Sequence, residues 1–464
     1  MSVNLLSFSV GNFKSIREIQ TLEFADGPLD SKQPRPVPVS VLLGANASGK
    51  SNLLEAMAFA FRAMKLSATA WLDEDHYEYD STIPTPFSLD QDSQGKPSFF
   101  EFDFVAKGRR YLYGFTFGRS GVVEEWMSYV PSVRWTSVFN RTAQPEVEWE
   151  WNSSAVSRTL QREIERADVR ELAVSHALRG KLGLIYESVS ALLDGVNYLP
   201  LGDSQKDQRL SQLARAMRKG QVKLSEVTQM MQAADTGIVD VSIDEENLSP
   251  ALAELAKILT QRLEDVSKDE KGSLKGFHMA HEPGAYIDIS DAELKAIAYQ
   301  LMFTHRGDNS NHTLKMAAQS DGTLTWLSVA PIIVDALRNG HVVIADELDS
   351  SLHVQLLELV VKAFTDESIN VNGAQLIFSS HDTNLLEHMR ALGLDTDAFW
   401  FVEKLQSGAS EVFPLSGFEK RKDANYERRY LDSRYGALPR VSPALIRGLV
   451  LEAVGEGPEA ADGS

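Results

Sequence analysis

The segment that most constrains this chain is the glycine-rich stretch Gly44-Ala-Asn-Ala-Ser-Gly49-Lys50-Ser51, which matches the pattern G-x-x-x-x-G-K-[ST]. The apolar run Val39 to Leu43 comes before it, and a helix is predicted from about Ser51. A strand, a glycine loop and a helix in this order bind phosphate, because consecutive backbone N–H groups and the helix N-terminus point at one anion. The sequence therefore predicts an α/β fold with a nucleotide site formed by Gly44, Asn46, Ala47, Ser48, Gly49, Lys50, Ser51 and Asn52.

Two residues of this loop and a distant acidic pair together predict ATP hydrolysis. Lys50 is expected to reach the β- and γ-phosphates of ATP, and the Ser51 hydroxyl to bind Mg²⁺. In His341-Val-Val-Ile-Ala-Asp346-Glu347 a buried strand ends in adjacent carboxylates. Asp346 suits Mg²⁺ through its water shell, and Glu347 is placed to accept a proton from the attacking water. Adjacent acids after a strand often mark only a turn. The pair indicates ATP hydrolysis here because the same chain also contains the glycine loop.

The separation of the two motifs predicts a large insertion. Asp346 lies 296 residues after Lys50 (346 − 50), too far for one compact strand-helix-strand unit. The layout resembles ABC-type ATPases of the SMC and RecF class, in which an arm divides one head. We therefore predict an ABC/SMC-like P-loop ATPase head formed by residues 1–64 and 296–440, a mixed insertion at 65–295 and a tail at 441–464.

The insertion is predicted to hold β-hairpins near the head and helices beyond them. Residues 98–118 alternate apolar and polar positions on either side of Lys107-Gly108, which is the pattern of a β-hairpin. Between about 155 and 270, the stretches LSQLARAMRKGQVKLSEVTQMMQ and SPALAELAKILTQRLEDV place apolar residues at helical spacing. This arm is too short and too irregular for the sustained heptads of an SMC coiled coil.

A third motif, Gln319-Ser320-Asp321-Gly322-Thr323, predicts a dimer. Alone it is weak, because Asp-Gly is common in turns. Here it precedes a predicted helix that leads into the strand before Asp346. Its position resembles that of the ABC signature, which offers a serine hydroxyl, a glycine N–H and a helix N-terminus to the γ-phosphate. In that class the loop lies far from its own P-loop. The resemblance therefore implies a homodimer, or a higher even-numbered oligomer, in which ATP is held in trans by Ser320, Asp321 and Gly322.

Two more candidates follow the acidic pair. His381 ends the apolar strand of Phe378-Ser-Ser-His381, 34 residues after Glu347 (381 − 347). A lone histidine is more often structural, but a histidine at this place in an ABC-type fold contacts the γ-phosphate or the attacking water. Asp349 occupies the position of the D-loop, the segment that communicates across the dimer in this class.

The motif set NFKSI, GANASGKSNLLEA, QSDGT, VVIADELDSSLH and FSSHDTNLL resembles bacterial AAA/ABC-type ATPases related to the overcoming-lysogenization (OLD) proteins. The later stretch FVEK…SGFEKRKDANYERRYLDSRYGALP is similar to the ATPases encoded beside RloB-type proteins, such as the AbiL abortive-infection systems. The resemblance implies phage defence with a separate effector, often a nuclease. OLD proteins carry a TOPRIM nuclease after the head, whereas only 83 residues (464 − 381) follow His381 here. We expect no nuclease site in this chain.

Composition bounds the remaining functions. The net charge of −19 argues against coating nucleic acid with the whole surface, but leaves room for a local basic groove. The absence of cysteine excludes thiolate and disulfide chemistry, and no run is apolar enough to span a membrane, so we expect a cytoplasmic protein. The basic residues near the C-terminus predict a solvated helix face or, as the minority interpretation, a contact surface for a partner: Lys420, Arg421, Lys422, Arg428, Arg429 and Arg434.

Three functions remain open from the sequence. The first is a defence ATPase that controls a partner effector. The second is a DNA-repair or chromosome-handling ATPase of the RecF or SMC kind, which the short, irregular arm disfavours. The third is a scaffold that uses ATP only to dimerise, which the intact Glu347 argues against, because a site that does not hydrolyse ATP needs no base.

Overall fold

The computed structural model describes residues 2–27, 34–69, 71, 82–143, 146–200, 203–218, 222–243, 301–308, 310–418, 425–432, 434–437 and 447. Two predictions fall outside these residues: the helical stretch at 249–266 and, apart from residue 447, the tail at 441–464. Three members of the basic cluster, Lys420, Arg421 and Lys422, also lie outside them. Among the described helices, none combines the length and the apolar character needed to cross a bilayer.

The described strands form four sheets. Their bounds in chain order are β1 Val3–Gly11, β2 Gln20–Glu23, β3 Ala25–Asp26, β4 Arg35–Pro36, β5 Val39–Leu43, β6 Ser98–Ala106, β7 Arg109–Gly118, β8 Gly121–Tyr129, β9 Thr136–Thr142, β10 Glu148–Trp151, β11 Val196–Leu199, β12 Ile238–Ile243, β13 Leu301–His305, β14 His312–Lys315, β15 Val342–Ala345, β16 Gln375–Ser380, β17 Phe399–Lys404 and β18 Ser410–Pro414. The described helices are α1 Lys50–Leu66, α2 Gln91–Gln94, α3 Arg158–Ile164, α4 Ala173–Gly180, α5 Gly183–Asp194, α6 Asp203–Arg218, α7 Leu224–Ala233, α8 Asp321–Asn339, α9 Leu348–Ser351, α10 Val354–Thr365, α11 Asn384–Glu387 and α12 Tyr426–Leu431.

A seven-stranded antiparallel sheet has the order β10-β9-β8-β7-β6-β1-β2. The hairpin predicted around Lys107-Gly108 is confirmed, since β6 and β7 pair from Ser98–Phe117 to Ala106–Arg109. Both turn residues have positive φ, at 51° and 73°, as a two-residue type I′ turn requires. The sheet continues across residue 65, where we predicted the insertion to begin, because β6 pairs directly with β1. The domain boundaries themselves stay predictions.

A six-stranded sheet carries the motifs, in the order β11-β15-β16-β5-β17-β18. Its first five strands are parallel and β18 is antiparallel to β17. Alternate residues of β5 face two different cores: Val41 and Leu43 pack on one side, and Leu42 packs on the other. Strands buried on both faces have continuous apolar sequences, which is why the runs before the P-loop and before Asp346 have no polar alternation. The predicted α/β fold is therefore confirmed, with the glycine loop at the end of a buried parallel strand.

Helix α1 lies between the two large sheets. Apolar residues cover nearly all of its circumference, from Leu53 and Leu54 to Met64, and they share a core with strands of both sheets. The side chain of Gln375, at the start of β16, crosses to the seven-stranded sheet and exchanges two hydrogen bonds with the backbone of Leu5, at 2.8 and 3.0 Å. The phosphate-binding loop is therefore supported by a helix that is held on both sides.

Part of the predicted insertion belongs to this core. Strand β11 pairs in parallel with β15, so the strand that precedes Asp346 and Glu347 is not at the edge of its sheet. Helices α6 and α7 pack against α8, where Trp326 donates its indole N–H to the Met230 carbonyl at 2.8 Å. The apolar spacing that predicted helices here is thus explained by burial against the head.

Candidate functional site

The P-loop follows β5 and depends on glycine at two positions. Gly44 has φ of 159° and Gly49 has φ of 113°, a region that L-residues rarely adopt. A Cβ atom at Gly44 would lie 2.3 Å from the Val402 carbonyl oxygen, and one at Gly49 would lie 2.1 Å from Ser410 Oγ. The pattern G-x-x-x-x-G is therefore required by close contact with β17 and β18 as well as by the backbone conformation.

A group of hydroxyls supports the loop from behind. Ser410 Oγ donates to the Ser48 carbonyl at 2.6 Å and lies 2.7 Å from Ser15 Oγ. The Asn52 side chain donates its N–H to Ser15 Oγ at 2.7 Å. These bonds link the N-terminal loop, the P-loop and the C-terminal strand β18. In this structure Asn52, a predicted nucleotide contact, helps to hold the loop, and its contact with nucleotide stays a prediction.

Lys50 is the buried cation of the site. Its side chain nitrogen donates to the carbonyl oxygens of Gly44, at 2.8 Å, and Ala45, at 3.1 Å, and lies 3.4 Å from His381 Nδ1. Burial lowers the pKa of Lys50 to about 8, against the opposing effect of the nearby carboxylates, of which Glu347 is the largest. Phosphate oxygens brought to this nitrogen would stabilise the charged form and raise the pKa again.

The acidic pair is held by the neighbouring strand. Ser379 Oγ donates to Asp346 Oδ1 at 2.5 Å and accepts a hydrogen bond from the Glu347 N–H at 2.7 Å. Glu347 adopts φ of 53°, a left-handed conformation that costs a residue other than glycine about 1 kcal/mol or more. Backbone strain that the surroundings enforce on a carboxylate is typical of functional sites.

His381 and Asp349 complete the cluster. His381 Nε2 lies 3.6 Å from Glu347 Oε1, and its backbone N–H donates to Asp349 Oδ2 at 2.8 Å. The other oxygen of Asp349, Oδ1, is buried and has no hydrogen-bond partner within the described part of the chain. Strands β5, β16 and β15 are adjacent and parallel, so their carboxyl ends bring Lys50, His381 and Glu347 to one edge of the sheet, as is usual for ligand sites in open α/β sheets.

The oxygen donors of this edge fit Mg²⁺. The Ser51 hydroxyl, one residue after Lys50, and the Asp346 carboxylate are hard ligands, and a magnesium ion bound with a nucleotide takes its remaining ligands from phosphate and water. Within the described residues no group of three or more His, Cys, Asp or Glu side chains is placed to hold a metal ion. When bound, Mg²⁺ would neutralise phosphate charge here.

The predicted signature loop lies at the start of α8 and is exposed. Ser320 caps the helix by accepting a hydrogen bond from the Thr323 N–H at 3.2 Å, and Asp321 pairs with Lys206. Ser320, Asp321 and Gly322 are all exposed, and a Cβ atom at Gly322 would meet no atom within 4 Å. The loop therefore has open space beside Gly322 and places the N-terminus of α8 at the surface of the described chain.

Sequence reasoning missed the residues that hold the site. The Ala45 N–H donates to the Ala437 carbonyl at 2.9 Å, and Tyr430 donates its hydroxyl to the same carbonyl at 3.1 Å. Thr383, beside the histidine loop, donates to Glu427 at 2.9 Å. The only available signal was that the C-terminal stretch resembles one branch of ATPases. Within the basic cluster, the solvated face predicted for Arg429 is only partly correct, because its guanidinium lies over the Tyr435 ring, 5.5 Å from the centroid.

Comparison with protein-family models places this chain. The model described as "AAA domain, putative AbiEii toxin, Type IV TA system" matches residues 39–173 and 222–387, which is more than half of the chain. The chain belongs to this family. It is therefore an AAA/ABC-type P-loop ATPase domain protein, and the matched ranges contain the P-loop, the signature loop, the acidic pair and His381.

Three of the similar solved structures are heads of SMC proteins. The SMC head domain from Thermotoga maritima is 12% identical, with 89% of this chain and 99% of that chain covered at a TM-score of 0.38. The Smc head domain of Pyrococcus furiosus, bound to the C-terminal domain of ScpA, is 12% identical, with 89% and 96% covered and a TM-score of 0.34. The Smc head of Pyrococcus yayanosii is 13% identical, with 89% and 97% covered and a TM-score of 0.35. No curated protein matched.

Proposed function

We propose that this protein hydrolyses ATP with Mg²⁺ in a site completed by a second copy of the chain. The observation that supports this most directly is that one sheet edge brings together Lys50, Asp346, Glu347 and His381. The signature loop is exposed, and its Asp321 pairs with Lys206 of α6 and not with a residue of that edge. Each head would therefore supply two half-sites. The P-loop edge would bind the head's own nucleotide, and the signature loop would contact the nucleotide of a partner.

The proposed chemistry is attack of water on the γ-phosphate. Glu347 takes a proton from the water as its oxygen bonds to phosphorus, and the bond to the β-phosphate oxygen breaks to give ADP and phosphate. Lys50 binds the β- and γ-phosphates, and the backbone of the loop from Gly44 to Ser51 cradles them. His381, 3.6 Å from the Glu347 carboxylate, contacts the γ-phosphate or the water.

The dimer follows from the second half-site. Ser320 Oγ, the Gly322 N–H and the N-terminus of the 19-residue helix α8 can hydrogen-bond a γ-phosphate carried by a partner. Asp349, with one buried oxygen left without a partner among the described residues, is the proposed contact across the dimer. An exposed half-site supports a homodimer of heads or a higher even-numbered oligomer.

The experiment that tests the composite site uses Glu347→Gln. The amide keeps the size of the side chain and removes its basicity, so hydrolysis should fall by about 10²–10⁴-fold while ATP binding survives. ATP then holds two heads together, and light scattering with ATP and Mg²⁺ should show a stable dimer. Hydrolysis at the wild-type rate would refute Glu347 as the base. A variant that binds ATP but stays monomeric would refute the composite site and leave the P-loop assignment intact.

We also propose a role in phage defence, of the abortive-infection type, with a separate effector. The family description, which refers to an AbiEii toxin of a Type IV toxin–antitoxin system, and the resemblance to OLD-like ATPases paired with RloB-type proteins both support this. A nuclease or an RloB-like protein is the proposed effector, and nucleic acid is a candidate ligand of the assembly. Bacteria carrying the gene with its neighbours should form fewer plaques on phage challenge, and Lys50→Ala should abolish that protection. Equal protection from the Lys50→Ala strain would contradict the role of the ATPase.

A further inference from the structure

An ion pair joins the signature loop to a buried lysine. Lys206 lies on α6, its side chain is 11% exposed, and its Nζ is 2.5 Å from Oδ1 of Asp321, whose side chain is 80% exposed. Most surface ion pairs join two solvated groups and contribute little. This pair differs because the lysine side chain is buried, whereas the aspartate lies in an exposed loop.

Asp321 is predicted with Ser320 and Gly322 to hold ATP in trans, but its own charge opposes the binding of phosphate by this loop. It occupies the first turn of α8, where backbone N–H groups and the helix dipole favour a negative charge. A γ-phosphate brought to the same turn would compete with the carboxylate for those N–H groups and would be repelled by it. The loop needs either a neutral residue at this position or a cation that compensates the charge.

Lys206 is fixed well enough to provide that cation. Three residues further along α6, Arg209 donates to the Pro200 carbonyl at 2.6 Å and to Ser328 Oγ of α8 at 3.3 Å. Leu210 and Leu213 of the same helix are buried in the core that contains α8. Helix α6 is therefore held between the end of β11 and α8, so the position of Lys206 relative to Asp321 is set by packing.

We propose that Lys206 is a positioning residue for the signature loop. It neutralises Asp321 and holds its carboxylate aside, so that the Ser320 hydroxyl and the Gly322 N–H can donate hydrogen bonds to the γ-phosphate of ATP bound to a second copy. This proposal rests on the composite site. It gives α6, in the chain segment predicted as an insertion, a supporting role in dimer formation that acts through Asp321.

The test is carried out in the Glu347→Gln background, where the parent is expected to dimerise with ATP. Adding Lys206→Met removes the charge and keeps the length of the side chain. It should raise the ATP concentration needed for half-maximal dimerisation by at least about tenfold, since one uncompensated charge at a phosphate typically matters at that scale. Lys206→Arg should retain most of the dimer. Further addition of Asp321→Asn to the Lys206→Met variant should restore dimerisation, because the acid that required compensation is gone.

A purely structural role for Lys206 gives a different pattern. If the methionine disturbed the packing of α6, thermal unfolding would move and Asp321→Asn would not restore the dimer. Binding of a fluorescent ATP analogue to the monomer, which reports the P-loop alone, should be the same with lysine and methionine at position 206. The proposal is overturned if Lys206→Met dimerises at the parent's ATP concentration, or if Asp321→Asn fails to rescue it. A Glu347→Gln parent that stays monomeric with ATP bound would instead refute the composite site, and this role with it.

Discussion

The two regions that we propose to bind phosphate are built in opposite ways. At the P-loop edge, Lys50 is 5% exposed, Ser379 is fully buried, and hydrogen bonds between neighbouring strands hold Asp346 and Glu347. At the signature loop, the three central residues are exposed, and one ion pair connects the loop to the core. The first region is organised within one chain and the second presents its donors outward. Preorganisation favours chemistry, whereas exposure favours recognition of a partner.

The largest expected effect is at the organised edge. Lys50→Ala removes the charged donor of the P-loop, and hydrogen bonds to charged groups each contribute about 1.5–3 kcal/mol. We expect ATP affinity in calorimetry to fall at least about 100-fold. The fold should survive, because burying a cation is itself costly. A circular dichroism melt is the control for folding, and an unchanged dissociation constant in a folded variant would refute the P-loop assignment.

The second prediction concerns the signature loop, the exposed member of this comparison. In the Glu347→Gln background, Ser320→Arg places a bulky side chain at the cap of α8 and should remove the ATP-dependent dimer. Monomer ATP affinity should stay within about twofold, because exposed substitutions away from a site have small effects. Ser153→Arg, in an exposed turn after β10, is the matched control. Loss of ATP binding by the monomer would show that the signature loop belongs to the site of its own chain.

The third prediction concerns Ser379 of β16, the strand that lies between β5 and β15 in the sheet. Ser379→Ala removes the group that holds both Asp346 and the Glu347 backbone, and loss of such supporting contacts typically costs 10–100-fold in activity. We expect kcat to fall about tenfold with little change in ATP affinity. Ser40→Ala on neighbouring β5 is the control, since its buried hydroxyl makes no hydrogen bond within the described chain. Equal rates for both alanine variants would contradict the positioning role of Ser379.

Local patterns in the sequence were sufficient to predict three strands of the six-stranded sheet, β5, β15 and β16, and the candidate residues that follow each of them. The run before Gly44 and the run before Asp346 are continuous because β5 and β15 are buried on both faces, and that signal needs no partner. The supports of the site gave no such signal. Ser15, Ser410 and Ala437 meet the P-loop only after β1, β18 and the C-terminal segment have packed, and a serine or alanine in isolation predicts nothing.

The predicted insertion shows the same limit. Alternation correctly predicted β6 and β7, but it could not show that β6 would pair with β1, since strand pairing over this distance depends on the tertiary fold. Helical spacing likewise could not show that α6 and α7 lie on α8 or that β11 extends the central sheet. Deleting the described helices of this segment would therefore disturb the head itself, and Lys206 would be lost with them.

The smallest expected effect is a pH dependence of ATP binding. It would distinguish a buried Lys50, with a lowered pKa, from an exposed lysine with the ordinary value. Burial lowers the pKa of Lys50 to about 8 in the free protein. ATP binds the charged form better, so binding raises that pKa, and affinity is constant well below pH 8 and declines as pH rises through 8. For a group with this pKa the charged fraction falls about threefold between pH 7.5 and 8.5. Calorimetry over that range should show a matching loss of affinity.

Lys50→Arg is the control for this last prediction, because a guanidinium stays charged throughout the range and should bind ATP with a pH-independent affinity, whatever its absolute value. If the wild-type affinity were also flat from pH 7.5 to 8.5, Lys50 would keep its ordinary pKa, and the site would be more open to solvent than its packing shows. A decline in both proteins would point to another titrating group. Only a decline confined to the lysine protein supports an organised, buried cation as the feature that distinguishes this edge from the signature loop.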